Sequence, residues 1–163
     1  MTSRIEVSRN IAAEPEAIFE VLRSPSGHVQ IDASGMLMWA EGDAAEAVGD
    51  RFRMHMDRDA LRDFDLGEYE LDVVFTRFEP GRAIEWGIDS ERFDPPIGHV
   101  YGYELEPIDG GTRVTQYYDW SGLHPNYAEL LGEAFPIIPE QSILATLGIL
   151  ARTVAPGKSR PGA

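Results

Sequence analysis

The 163-residue chain has no cysteine, which excludes a disulfide scaffold, a thiolate zinc site and a thiol nucleophile together. That absence fits a reducing compartment, and a cytoplasmic location is the expectation. Basic charge is scarce. Asp and Glu number 28 against 14 Lys and Arg, the formal net charge is −14, and Lys158 is the one lysine. Nucleic acid and anionic membrane surfaces favour basic partners, so both are disfavoured. Long apolar runs are missing as well. None approaches the roughly 20 residues of a membrane span. The opening MTSRIEVSRNIAAEPEAIFEVL lacks the apolar stretch of a signal peptide.

Several reaction classes lack their motifs. The four histidines, His28, His55, His99 and His124, have no helical metal-ligand spacing. Asp57, Asp59, Asp63 and Asp65 crowd one loop, without the Gly and terminal Glu of a calcium loop, and read as a solvated hairpin tip. No Gly-x-Ser-x-Gly elbow, P-loop or dinucleotide fingerprint is present. The expectation is a protein with neither metal nor cofactor.

What is present is a regular succession of short elements. Ile5, Val7 and Ile11 alternate with Glu6, Ser8 and Asn10, a strand signature. Glu14-Pro15-Glu16 then opens a helix with buried stripe Ile18, Phe19, Val21 and Leu22. Ser24-Pro25-Ser26-Gly27 stops it, and His28–Ala33 suits a second short helix. Strand-like runs follow at 36–40, 51–56, 67–78, 82–88, 98–106 and 112–120, divided by Glu79-Pro80-Gly81, Asp94-Pro95-Pro96 and Asp109-Gly110-Gly111. Pro125, Pro136 and Pro139 interrupt a lid-like segment. A last helix should run from about Pro139 to Val154. Its stretch QSILATLGILA carries no charge, which predicts burial on most faces against the concave side of the sheet.

This is one α+β domain over residues 1–154, followed by a loose Gly/Pro-rich tail at 155–163. A curved antiparallel sheet of about seven strands would wrap the long C-terminal helix, with two short helices after the first strand. Such a sheet leaves an interior that side chains do not fill.

Three segments carry a family resemblance: IAAEPEAIFEVLRSP, VGDRFRM and YGYELEPIDGGTRVTQYYDWSG. With the terminal helix, they make the chain resemble the START-like (SRPBCC) superfamily and its helix-grip fold, nearest the polyketide cyclase/dehydrase-like branch. The resemblance implies a hydrophobic small-molecule ligand such as a polyketide, an aromatic or a lipid. It leaves the chemistry open, since the superfamily includes cyclases, hydrolases, lipid carriers and hormone receptors.

Strand parity selects the residues that face the interior. Met54, Met56, Leu71, Val73, Trp86, Tyr103 and Gln116 form the expected ligand-binding wall, joined by Phe135 from the lid and by Ile143 and Leu147 from the last helix. His99, Tyr101 and Tyr118 are the polar members on paired strands. An imidazole and two phenols can orient a carbonyl or move a proton, so they are the catalytic candidates, with Asp32 at the pocket mouth as a general base. Buried Tyr and His also commonly satisfy one another. Two function classes therefore stay open. One is hydrophobic-ligand binding, in its enzymatic version a cofactor-free cyclisation or dehydration. The other is a regulatory or stress-response interaction module on the same fold. Monomer and homodimer are both compatible with the sequence.

Overall fold

The computed structural model describes residues 2–162. The elements, in chain order, are β1 (Arg4–Ile11), α1 (Pro15–Leu22), α2 (Pro25–Ile31), β2 (Leu37–Glu41), β3 (Arg51–Asp57), β4 (Glu68–Glu79), β5 (Ala83–Asp89), β6 (Val100–Ile108), β7 (Gly111–Asp119), α3 (Pro125–Leu131) and α4 (Glu140–Val154). The seven strands form one antiparallel sheet in the order β1-β7-β6-β5-β4-β3-β2. Strands β2 to β7 pair with their sequence neighbours, and β1 closes onto β7. The expected α+β class and strand count hold.

Local chemistry sets the boundaries. Pro15 occupies the first turn of α1 and Glu16 faces its positive end, while Ile18, Phe19 and Leu22 are buried. The Ser24–Gly27 segment, expected as a stop, also starts α2. The Ser24 hydroxyl accepts a hydrogen bond from the Gly27 amide at 3.0 Å and caps the new helix, so α2 begins three residues before the sequence suggested. Gly81 and Gly110 take positive φ at the tips of the β4–β5 and β6–β7 hairpins, where the breakers predicted turns.

The alternation forecast for the strands is visible in burial. Phe52 and Met54 on β3, Val73 and Phe75 on β4, Ile84 and Trp86 on β5, and Val114, Gln116 and Tyr118 on β7 all face the interior. On the outer face, Arg51 donates to Asp72 and Asp89, and Arg53 to Asp72 and Glu70. The acidic stretch around β3 and β4 is thus partly neutralised on the solvent side.

Three expectations need correction. Helix α4 is not buried on most faces. Ile143, Leu147 and Leu150 form one buried stripe, while Leu144 is 45% exposed. The stripe rests on β1, β7 and α2, and a single stripe is all one sheet can cover. Tyr117 has outward parity yet is only 2% exposed, because its ring lies over Gly102 on the outer face. The C-terminal tail is tied down: the Asn10 side-chain amide donates to the carbonyls of Pro161 and Gly162 at 3.1 and 3.2 Å.

Candidate functional site

Antiparallel pairing places β3 through β7 side by side, so their inward residues share one concave face. Helix α4 covers only the β1–β7 side of that face. The remainder encloses a cavity of about 590 Å³. Met54 and Met56, Leu71, Trp86 and Ile88 supply its floor. Tyr127, Leu131 and Ile138 supply its roof from α3 and the segment that follows. The Tyr127 hydroxyl donates to the Pro95 carbonyl at 2.7 Å, fastening this roof to the β5–β6 connection.

Ten of the sequence-predicted residues line the cavity: Asp32, Met54, Met56, Leu71, Trp86, His99, Tyr101, Tyr103, Gln116 and Ile143. Four do not. Val73 lies wholly within the core. Leu147 is one turn further along α4 than Ile143, where the helix meets the sheet. Phe135 stands edge-on to His99 at 5.7 Å and beside Trp120, behind the wall. Tyr118 is fully buried beneath Tyr101, their rings stacked at 4.4 Å.

The polar groups on the wall are few and specific. His99 Nδ1 lies 2.7 Å from the Tyr118 hydroxyl oxygen. The other ring nitrogen, Nε2, is buried and has no hydrogen-bond partner among the described residues. The Gln116 side-chain oxygen is likewise buried without a partner among the described residues. Tyr101 pairs with Tyr118 and Tyr103 with Gln116, so the two polar sites lie about four residues apart along the sheet, or ~13 Å.

Burial dominates the ionisation of these groups. It lowers the His99 pKa to about 4, which keeps the imidazole neutral near pH 7. It raises the phenols of Tyr101, Tyr103 and Tyr118 far above their ordinary value, so all three remain protonated. His28 is also buried and held at about 4. Its Nε2–H donates to the Leu22 carbonyl at 2.7 Å, and its ring packs on Trp86 and Phe52.

Asp32 does not have the surroundings of a general base. Its two oxygens accept from the Ser34 amide and hydroxyl and from the Gly35 and Leu37 amides, so the carboxylate organises the α2–β2 turn. Among the lining residues that sequence reasoning missed is Arg58. It sits in the short 3-10 turn after β3, is 3% exposed and reaches the cavity wall. The signal was available: residues 52, 54, 56 and 58 share one parity, which the Asp-rich appearance of the loop obscured.

Comparison with solved structures places this architecture. A protein from Chromobacterium violaceum, CV1439, superposes with a TM-score of 0.66 at 16% identity, over 94% of this chain and 98% of that one. The AHSA1-like protein from Aeromonas hydrophila gives 0.60 at 19% identity, over 98% and 99%. The chain has the helix-grip fold. The Aha1 dimer of Colwellia psychrerythraea adds a helix-grip neighbour that is dimeric in solution, with a TM-score of 0.62 at 19% identity over 98% and 100% of the two chains. No family model matches the chain. Among curated proteins, the uncharacterized protein Rv0088 of Mycobacterium tuberculosis is 26% identical over 119 residues, 72% of this chain and 47% of that protein. The chain therefore spans about half the length of this relative. Among the described residues, no helix is long and apolar enough to cross a membrane.

Proposed function

We propose that this helix-grip protein binds a hydrophobic small molecule, of polyketide, aromatic or lipid-like character, in the cavity between its sheet and its α3 roof. The observation that carries the reading is a pair of buried polar atoms without partners among the described residues, His99 Nε2 and Gln116 Oε1, on residues of a mostly apolar wall. Buried polar groups are nearly always hydrogen-bonded, because leaving one unpaired costs about 1–3 kcal/mol. Unpaired polar atoms on two residues that line about 590 Å³ of mostly apolar space fit a ligand that carries oxygen functions at both positions.

The ionisation states favour binding over proton transfer. A neutral His99 that accepts from the Tyr118 hydroxyl polarises a carbonyl through its Nε2–H and is a weak base, since its pKa lies near 4. A cyclase or dehydratase of the polyketide branch would use His99, Tyr101 and Tyr118 in that polarising role, with Asp32 confined to the turn. The direct test is titration with the neutral probe N-phenyl-1-naphthylamine, whose emission rises in apolar surroundings. One saturable site per chain is expected, abolished by Leu71→Trp, which fills the floor while the fold is retained. Non-saturable binding, or equal binding to L71W, would overturn the reading.

A further inference from the structure

Arg58 continues the inward parity of β3 beyond the strand and brings a buried guanidinium to the cavity wall. Its Nε and Nη2 donate to the two carboxylate oxygens of Asp63 at 2.8 and 2.6 Å. Nη1 donates to the Met36 sulfur, at 3.4 Å, and a thioether is a weak acceptor. A guanidinium carries five N–H donors, so two remain beyond those three. Asp63 is itself 42% exposed and shared with water, which leaves the buried cation incompletely compensated.

The surroundings agree with that imbalance. The Arg58 charge acts on the phenols of Tyr69 and Tyr101, and the Tyr69 hydroxyl is a neutral group close to the guanidinium on that wall. Arg92 lines the same end, its guanidinium 5.5 Å from the Tyr69 ring and its Nη1 donating to the Leu66 carbonyl. The wall includes one carboxylate, Asp32, already occupied by four hydrogen bonds. A chain of net charge −14 thus lines its cavity with two arginines and a single, fully engaged acid.

We infer that the ligand is an apolar carboxylic acid, its carboxylate held by the free donors of Arg58 and its body lying along Leu71, Ile88 and Trp86. The planar fork of arginine matches a carboxylate, and a partly buried pair is little screened by salt. Because the carboxylate anchors at the β3 end, the oxygen functions farther along the molecule fall to His99 and Gln116. This inference rests on the binding reading above and names the class of molecule bound.

The test displaces N-phenyl-1-naphthylamine with 2-naphthoate and with methyl 2-naphthoate, which share an apolar body and differ in charge. In the native protein, the acid should displace the probe at about tenfold lower concentration than the ester, the gain of one charge-assisted hydrogen bond. Arg58→Met should bring that ratio to about one. Asp63→Asn should raise it, by removing the competing carboxylate, and decides the matter even where R58M fails to fold. Equal displacement by acid and ester in the native protein, an unchanged ratio in R58M, or a lower ratio in D63N overturns the inference while leaving the binding reading intact. Failure of the neutral probe to bind at all overturns both.

Discussion

The Nδ1 atom of His99 and the hydroxyl of Tyr118 are 2.7 Å apart, both buried. The direction of this one bond sets which nitrogen of His99 carries the proton. Tyr118→Phe should leave Nδ1 unpaired and lower stability by about 1–3 kcal/mol, read from urea denaturation. The polarising role proposed for His99 needs the Nε2–H tautomer, which imidazole nitrogen chemical shifts should report in the native protein. A native Nδ1–H tautomer would contradict that role.

His28 and His99 make stability fall on the acid side of neutrality. Both are held at about 4 by burial, against about 6.5 in an unfolded chain. Between those values the unfolded chain takes up protons that the folded chain refuses. Stability is therefore independent of these groups above about pH 7, and is lost from about 6.5 down to about 4. The slope is up to ~1.4 kcal/mol per pH unit for each histidine. The lowered carboxylates, Asp63, Asp72 and Asp119 among them, add their loss at more acid pH. A comparison at pH 7.5 and 5.0 thus isolates the histidines. An unchanged urea midpoint, or either C2–H resonance titrating near 6.5, would refute the assignment.

The fold was legible because its signals are local and repeated. Alternation in β1, β3, β4, β6 and β7 fixed which residues face inward, and Gly81 and Gly110 marked two of the hairpins. The same parity brought most of the cavity wall to light. It could not tell lining from core: Leu71 and Val73 share a face, yet Leu71 lines the cavity while Val73 is wholly buried in the core. Nor could it show that Asp32 is consumed by backbone amides, since a short turn is read from geometry rather than composition. Tyr117 escaped for a related reason. A glycine on the neighbouring strand can bury an aromatic on a nominally wet face.

Asp32 should behave as a turn former. Asp32→Ala removes acceptors for three amides and one hydroxyl, and should destabilise the protein by about 1–3 kcal/mol. Asp32→Asn keeps one acceptor oxygen and should fall between D32A and native in a denaturation series. Were D32N to unfold like the native protein yet lose affinity for 2-naphthoate, the carboxylate would belong to the ligand site instead.

Gly102 and Tyr117 should prove to be one unit. A Cβ at position 102 would fall 2.2 Å from Cζ of Tyr117, far inside contact distance, so the ring would have to leave. With it would go the hydrogen bond from the Tyr117 hydroxyl to Glu85, at 2.7 Å, and the stacking of Arg4 over the ring, at 4.1 Å. Gly102→Ala should accordingly lower stability by about 1–3 kcal/mol. In a Tyr117→Ala background the obstruction is gone, and alanine is preferred to glycine in a strand interior. There, G102A should be neutral or stabilising. A double-mutant cycle on urea midpoints reads the difference directly, and additive effects of G102A and Y117A would show that the two residues do not act together.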